Sequence, residues 1–523
     1  MEVVEHMSTR SIRRWHVVGG SMAAMTMVTA ISAPTGAAPP STGQLTDQDA
    51  YISLAPGVPA GASVTPIISS GETLGGFQFQ GIPDGIGVRP GAARHTVDVY
   101  VAHEETTVPF FGSADFQDAS VSKLTLNTKA GAGRQASVLD ASVAVSPDDG
   151  FLRFCSASMA GPAEGFDGYV YFTGEETNDL GLPGDISSLY GPDPAFDDGT
   201  RQGGYAVALD TDTGEYVAVA GLGRLNHENT IAVPGYDELA LLTTDDTFSR
   251  PSAQVYMYRA ADQDALFADE GGLWAFRATS KNGTAVDPAD PFNGANDYGD
   301  VQPGDELTGE FIPVPHDIAA GLTDDAPQDA LENWSNENNV FQFVRAEDII
   351  HDVNDPHVIY MADTGGTGVV PDPTTGRLTR GSGGISDGGA IFRFELDDTD
   401  PTVVTSFTKM AQGDDETVGA FVPFVSPDNL GVSKKSLMVQ EDTDNASIWQ
   451  YRLRQGTWQV VATVDDPDGE SSGIVDVSEW FGGGRWLLDV QAHGYDYIEQ
   501  EQIGDVLYKL EAGQLMLMNI PGS

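Results

Sequence analysis

The chain has 523 residues, with 78 Asp+Glu against 26 Lys+Arg, a formal charge of −52 and one cysteine. That balance excludes nucleic acid and an anionic membrane surface as partners, since both require a basic footprint. One cysteine excludes an internal disulfide, and 40% hydrophobic residues exclude global disorder. The 61 Gly and 30 Pro are dispersed along the chain, which suits many short strands and turns.

In chain order, residues 1–38 read as an export signal. Arg13-Arg14 precede the weakly apolar run SMAAMTMVTAIS and the small-residue stretch APTGAAPP, with cleavage expected between Ala33 and Ala38. The arginine pair points to the twin-arginine export machinery as a partner. The mature protein is then periplasmic or extracellular and carries no membrane span. Residues 39–79 form a lead-in segment.

From Gln80 onward there is very little helical periodicity and there are many short alternating apolar runs, the mark of β-strands. One strand type ends in acidic or polar residues: VDVYVAHEE (97–105), YVYFTGEE (169–176), LALLTTDD (239–246), VIYMADT (358–364), SLMVQED (436–442) and WLLDVQAH (486–493). Each is followed after a turn by a second strand, the last being DVLYKLEA (505–512). Six such pairs in fixed order predict an all-β fold, a six-bladed β-propeller over 80–523 as a single domain with loop and short helical insertions. The insertions fall at 177–202 and 262–338. The second holds an outer strand, GGLWAFRAT, and one helix over 324–337.

A shorter segment with a polar residue near its start precedes each first strand. These residues are Asp84, Cys155, Glu228, Glu347, Asp428 and, in the sixth segment, Glu479. In a propeller they would ring the central channel, with Glu104, Glu175, Asp245, Asp363 and Glu441 as a second layer. Taken singly, an acidic residue at a strand end is a solvated turn residue and a lone cysteine is a small hydrophobe. Their recurrence at one point of each unit raises the group above its members. Carboxylates crowded in one channel repel unless protons or multivalent cations neutralise them. Oxygen clusters suit calcium, and a thiolate beside them suits a transition metal. Arg345 stands two residues before Glu347, on the same side of a strand, where a guanidinium can grip a phosphate with two hydrogen bonds. No GxSxG, phosphate-cradling glycine loop or HExxH is present.

The pieces PDGI (83–86), AHEE (102–105), Cys155, GEE (174–176), GRLNHEN (223–229), FVRAED (343–348), SPDNL (426–430) and VQED (439–442) occur in this order. Together they resemble the PhoX-type alkaline phosphatase family, secreted six-bladed propellers exported by the twin-arginine route. The resemblance implies a phosphomonoesterase using iron and calcium, without an organic cofactor, acting as a monomer on a small phosphorylated substrate. It implies Cys155, Glu228 and Glu347 on iron, Arg345 on phosphate, and Arg345 and Glu347 as the catalytic pair. Asp84, Glu104, Glu175, Asp428 and Glu441 are left for calcium or for support of the other ligands. The chain departs from the family pattern at Ala102, at Ala346 and at Gly174, where a polar residue able to reach phosphate is expected. Two alternatives stand beside this reading. One is a calcium-dependent propeller hydrolase of lactonase or phytase-like type, and the other a non-enzymatic secreted propeller stabilised by calcium.

Overall fold

Runs such as TVDVYVAH bury residues on both faces, so Thr96–His103 is a central strand covered on both sides. The same holds for Val170–Glu175, Leu239–Asp245 and Ser436–Glu441. The structure, a computed structural model, describes residues 43–523 except 110–111, 130–134, 179, 182–200, 248–252, 323–325, 382, 387 and 497–499. The expected export signal and most of the insertion 177–202 lie outside the described residues.

The protein is mostly β, 49% strand and 8% helical, which agrees with the all-β expectation at that level. Antiparallel meanders follow one another along the chain. The first comprises Pro83–Pro90, Thr96–His103, Ser120–Asn127 and Val138–Val145. The second comprises Phe154–Ala160, Val170–Glu175, Ala206–Asp210 and Tyr216–Val219. The third runs His227–Ala232, Leu239–Asp245, Val255–Ala260 and Gly272–Lys281, and the fourth Ala346–Asp352, Asp355–Asp363, Ala390–Leu396 and Val403–Gln412. The fifth runs Pro427–Val432, Ser436–Glu441, Ser447–Arg452 and Thr457–Val464. The sixth runs Glu470–Asp476, Arg485–Asp496 and Glu511–Asn519. The leading strand of each meander packs against that of the next, and Glu470–Asp476 returns to Pro83–Pro90.

The third and fourth meanders are fused. Leu307–Pro313 pairs with both Gly272–Lys281 and Val403–Gln412, while the end strands His227–Ala232 and Ala346–Asp352 pack together. The result is a nearly closed, barrel-like sheet. Its interior is aromatic: Phe276, Phe341, Phe343, Phe392, Phe394 and Phe407 interlock with ring centroids 4.6–6.4 Å apart, close enough for offset and edge-to-face contact. The stretch 262–338 is therefore largely structural. It supplies the outer strand expected at GGLWAFRAT, the bridging strand, and the helix Pro327–Glu337 with Pro in its first turn.

Three details differ from expectation. Of the expected lead-in segment 39–79, the described residues 43–79 are part of the fold, with Ile52–Leu54 on the outer edge of the fifth meander and Ser63–Ser69 on that of the sixth. Joining N- and C-terminal strands in one sheet leaves no frayed seam in the sixth meander. The third strand of that meander is Glu511–Asn519, because EAGQLMLMN is buried along its length. Residues Val506–Tyr508, where it was expected, instead form a small hairpin with Glu501–Ile503. Finally, Glu479 lies in the helical turn Ser478–Phe481, and the sixth leading strand is Glu470–Asp476.

Candidate functional site

In the first five meanders, the leading strand is bulged at the same place. Pro83 pairs with His103, Phe154 with Glu175, His227 with Asp245, Ala346 with Asp363 and Pro427 with Glu441. The next pair in each case skips one extra residue on the leading strand, the definition of a β-bulge. The first bulged residues are Asp84, Cys155, Glu228, Glu347 and Asp428. A bulge re-aims side chains, and these five all line one chamber of about 310 Å³. The structure thus brings together all five expected leading-strand residues, with Glu104 and Arg345 beside them.

Glu175 and Glu441 do not join them. Each sits opposite the residue before the bulge and holds the backbone in place. Glu175 accepts hydrogen bonds from the N–H groups of Leu152 (2.9 Å), Gly204 (3.2 Å) and Tyr205 (3.3 Å). Glu441 accepts from Val425 N–H (3.0 Å), Ser447 N–H (2.8 Å) and the Trp449 indole (2.8 Å). Asp363 does the same for Val344, Arg345 and Gly365, and Asp245 accepts from Thr247. Residues one step further along the chain reach the chamber instead: Glu104, Glu176 and Asp442 line it, and Asp246 approaches Glu347. Because side chains alternate along a strand, a one-residue error in register exchanges a buttress for a ligand.

The donor atoms form overlapping groups, each within 4.8 Å: Asp84–Glu104–Cys155, Cys155–Glu176–Glu228, Glu176–Asp246–Glu347, Glu228–Glu347–Asp428 and Asp428–Asp442–Glu470. Cys155 Sγ lies 2.7 Å from Glu228 Oε1 and 3.5 Å from Asp84 Oδ2. Gln491 Nε2 donates to Asp84 (2.7 Å) and Glu104 (3.0 Å). Asp84 Oδ1 and Glu228 Oε2 are buried without any hydrogen-bond partner. Burial, reinforced by like charges nearby, pushes Asp84, Glu176, Glu228, Glu347, Asp428 and Glu470 well above the usual carboxylate range, and burial pushes Glu104 up as well. The Cys155 thiol is driven up by burial and by the carboxylates around it. Asp442 goes the other way: burial opposes ionisation, but a hydrogen bond with Glu470 and the charge of Arg345 outweigh it. Buried carboxylate oxygens without donors are costly, and a bound cation removes that cost. The donor set therefore fits metal ions, with oxygen ligands suited to calcium and one thiol suited to a transition metal.

Arg345 is held rigidly. Its Nε and Nη2 grip Asp246 at 2.6–3.0 Å, and Nη2 lies 3.1 Å from Glu347. Nη1 faces Asp442 at 3.8 Å, beyond hydrogen-bond reach, so that edge of the fork can accept an oxyanion. Sequence reasoning missed Glu176, Asp246, Asp442, Glu470 and Arg153, which also lines the chamber. A signal for Arg153 existed: RFC (153–155) repeats the spacing of RAE (345–347). The absent polar group at Gly174 has a steric reason, since a Cβ there would lie 2.3 Å from His227 Cβ.

No family model matches the chain, and no curated protein does. Among solved structures, puromycin hydrolase is similar at a TM-score of 0.31 and 11% identity, over 78% of this chain and 50% of that one. The chain thus spans about half the length of that protein. Zg3597, a family 117 glycoside hydrolase from Zobellia galactanivorans, gives 0.30 and 10%, over 77% and 89% of the two chains. The catalytic domain of a GH62 α-L-arabinofuranosidase from Coprinopsis cinerea gives 0.29 and 7%, over 88% and 96%. Likeness of this degree assigns neither topology nor activity.

Proposed function

We propose that the chain is a six-bladed β-propeller of the PhoX phosphatase type and a secreted, metal-dependent phosphomonoesterase. The observation that carries this reading is the chamber itself: overlapping carboxylate groups, one thiol among them, and a guanidinium fixed at their edge. Leading strands that contact one another in cyclic order support six blades. Cys155, Glu228 and Glu347 would hold iron. Asp84, Glu104, Glu176, Asp246, Asp428, Asp442 and Glu470 would hold calcium or brace its ligands. When bound, such cations polarise phosphoryl oxygens and supply the nucleophile at neutral pH. The chain's own part is positional. Asp246 and Glu347 orient the Arg345 fork, whose Nη1 edge receives a phosphate oxygen and stabilises charge developing there. Export through the twin-arginine route would deliver the protein folded and metal-loaded.

The predominance of oxygen donors favours a second reading, a calcium-only hydrolase in which Cys155 is a buried hydrophobe. Elemental analysis of protein exported from its own host, paired with p-nitrophenyl phosphate turnover, separates the two. Iron with calcium and monoester turnover supports the first; calcium alone supports the second. Absence of both metals sinks each.

A further inference from the structure

We infer that the ring of leading strands holds a second ligand site, on the side away from the carboxylate chamber. It takes a small organic ammonium ion, with the amine head inward and the apolar body toward the mouth. The site stands on its own residues, whatever reaction the chamber performs.

Each bulge in the first five meanders sets two leading-strand residues against one on the partner strand. The first of the two lines the chamber. The second is Gly85, Ser156, Asn229, Asp348 or Asn429, and these five line a separate cavity of about 220 Å³. That volume far exceeds the roughly 10–15 Å³ that one water needs. Further along the same strands the wall turns apolar, with Met159, Ile231, Ile350 and Ile474, and Trp480 closes one side. Consecutive residues of one bulge thus serve two cavities, and the second cavity has a polar floor and an apolar wall.

The floor has acceptors to spare. Ser156 is 2% exposed and Asn229 5%, yet Ser156 Oγ and Asn229 Oδ1 have no hydrogen-bond partner. The Asn229 amide is oriented by its Nδ2, which donates to Asp348 Oδ1 at 2.6 Å and leaves Oδ1 as the end without a donor. Asp348 also accepts from Leu430 N–H at 2.6 Å, and a carboxylate has about four acceptor positions, so capacity remains. Half-buried Glu164 and Asp476 add negative charge, and among the described residues no Lys or Arg lines the cavity. Buried acceptors without donors are costly. An ammonium brings three N–H donors, no acceptor and a positive charge, so it answers the floor and the charge together. A carboxylate or phosphate would add acceptors and negative charge to a space already rich in both. The apolar body gains by leaving water against the isoleucines and Met159.

The test is titration calorimetry on the full metal-loaded protein with hexylammonium as the probe. Methylammonium keeps the charge without the chain, and hexanoate keeps the chain with the opposite charge. The expected result is one saturable site for hexylammonium, with both controls at least roughly 10-fold weaker. Ser156→Ala and Asn229→Leu each remove an acceptor and should raise Kd roughly 5- to 10-fold. Val353→Trp should raise it as well by covering the mouth. Val353 lines the cavity and is 45% exposed, so that variant folds even where Asn229→Leu does not. Absence of saturable binding overturns the inference, as does hexanoate binding as tightly as hexylammonium. An unchanged Kd in both Ser156→Ala and Val353→Trp also overturns it, by placing the probe in the chamber or on the acidic surface. A parent without phosphatase activity would sink the proposed reaction and leave this site standing.

Discussion

Glu175 and Glu176 are adjacent in the chain and serve opposite purposes. Glu175 is fully buried and gathers three backbone N–H groups from two loops. Glu176 lines the chamber within 4.8 Å of Cys155 and Glu228 donor atoms. The same division recurs at Asp245/Asp246 and Glu441/Asp442, so the bulged repeat pairs one bracing carboxylate with one chamber carboxylate.

Glu175→Gln and Glu176→Gln should separate these purposes. Glutamine offers one acceptor oxygen where Glu175 satisfies three donors, so Glu175→Gln should lower stability by about 1–3 kcal/mol. Glu176→Gln removes one of several crowded charges and should leave the melting temperature of chelated protein unchanged or higher. Its metal content should fall instead. Calorimetry and elemental analysis of both variants check this, and the reverse pattern would refute the assignment.

The chamber sets a pH dependence that bound metal largely removes. Asp84, Glu176, Glu228, Glu347, Asp428 and Glu470 are raised in the folded protein, and Asp348 is raised to about 7 by burial. Acids raised on folding contribute stability that is complete below the unfolded value of about 4 and is lost as pH climbs through the folded value. Chelated protein should therefore melt at progressively lower temperature from pH 5 to pH 8. Restoring metal should recover most of the loss at pH 8, because cations bind the ionised folded state. A melting temperature of chelated protein that rises over this range would contradict the chamber electrostatics.

Cys155→Ser should fold, since serine fits the space of a thiol between Asp84 and Glu228. If the thiol ligates iron, the variant should lose visible charge-transfer colour and about 100-fold in turnover, as a hydroxyl is a poor substitute ligand. Full colour, metal and activity would return Cys155 to the status of a packed hydrophobe.

Phe407→Ala tests the fused sheet. Phe407 is fully buried, with its ring 4.6 Å from Phe394 and 5.2 Å from both Phe341 and Phe392. Truncation should cost about 3–5 kcal/mol through lost transfer energy and the cavity left behind. Because this cluster lies inside the barrel-like sheet, metal content of the folded fraction should not change. Denaturant unfolding gives the first quantity and elemental analysis the second.

The sequence by itself determined the strand-rich fold, the order of the strand pairs, the helix after Asp325-Ala326-Pro327 and the leading-strand residues Asp84, Cys155, Glu228, Glu347 and Asp428. Those features are local: alternation of apolar residues, turn residues and a polar residue at a constant place before each strand. Tertiary structure decided which neighbour in EE, DD and ED pairs faces the chamber, because the bulge and the cross-strand register settle the side-chain direction and neither leaves a compositional trace. It also decided the sixth leading strand, whose ESSGIVD lacks an apolar first half, and the partners of Ile52–Leu54 and Ser63–Ser69, which pair with strands some four hundred residues away. Pairing over such separations depends on the whole chain having closed, so no window of sequence contains it.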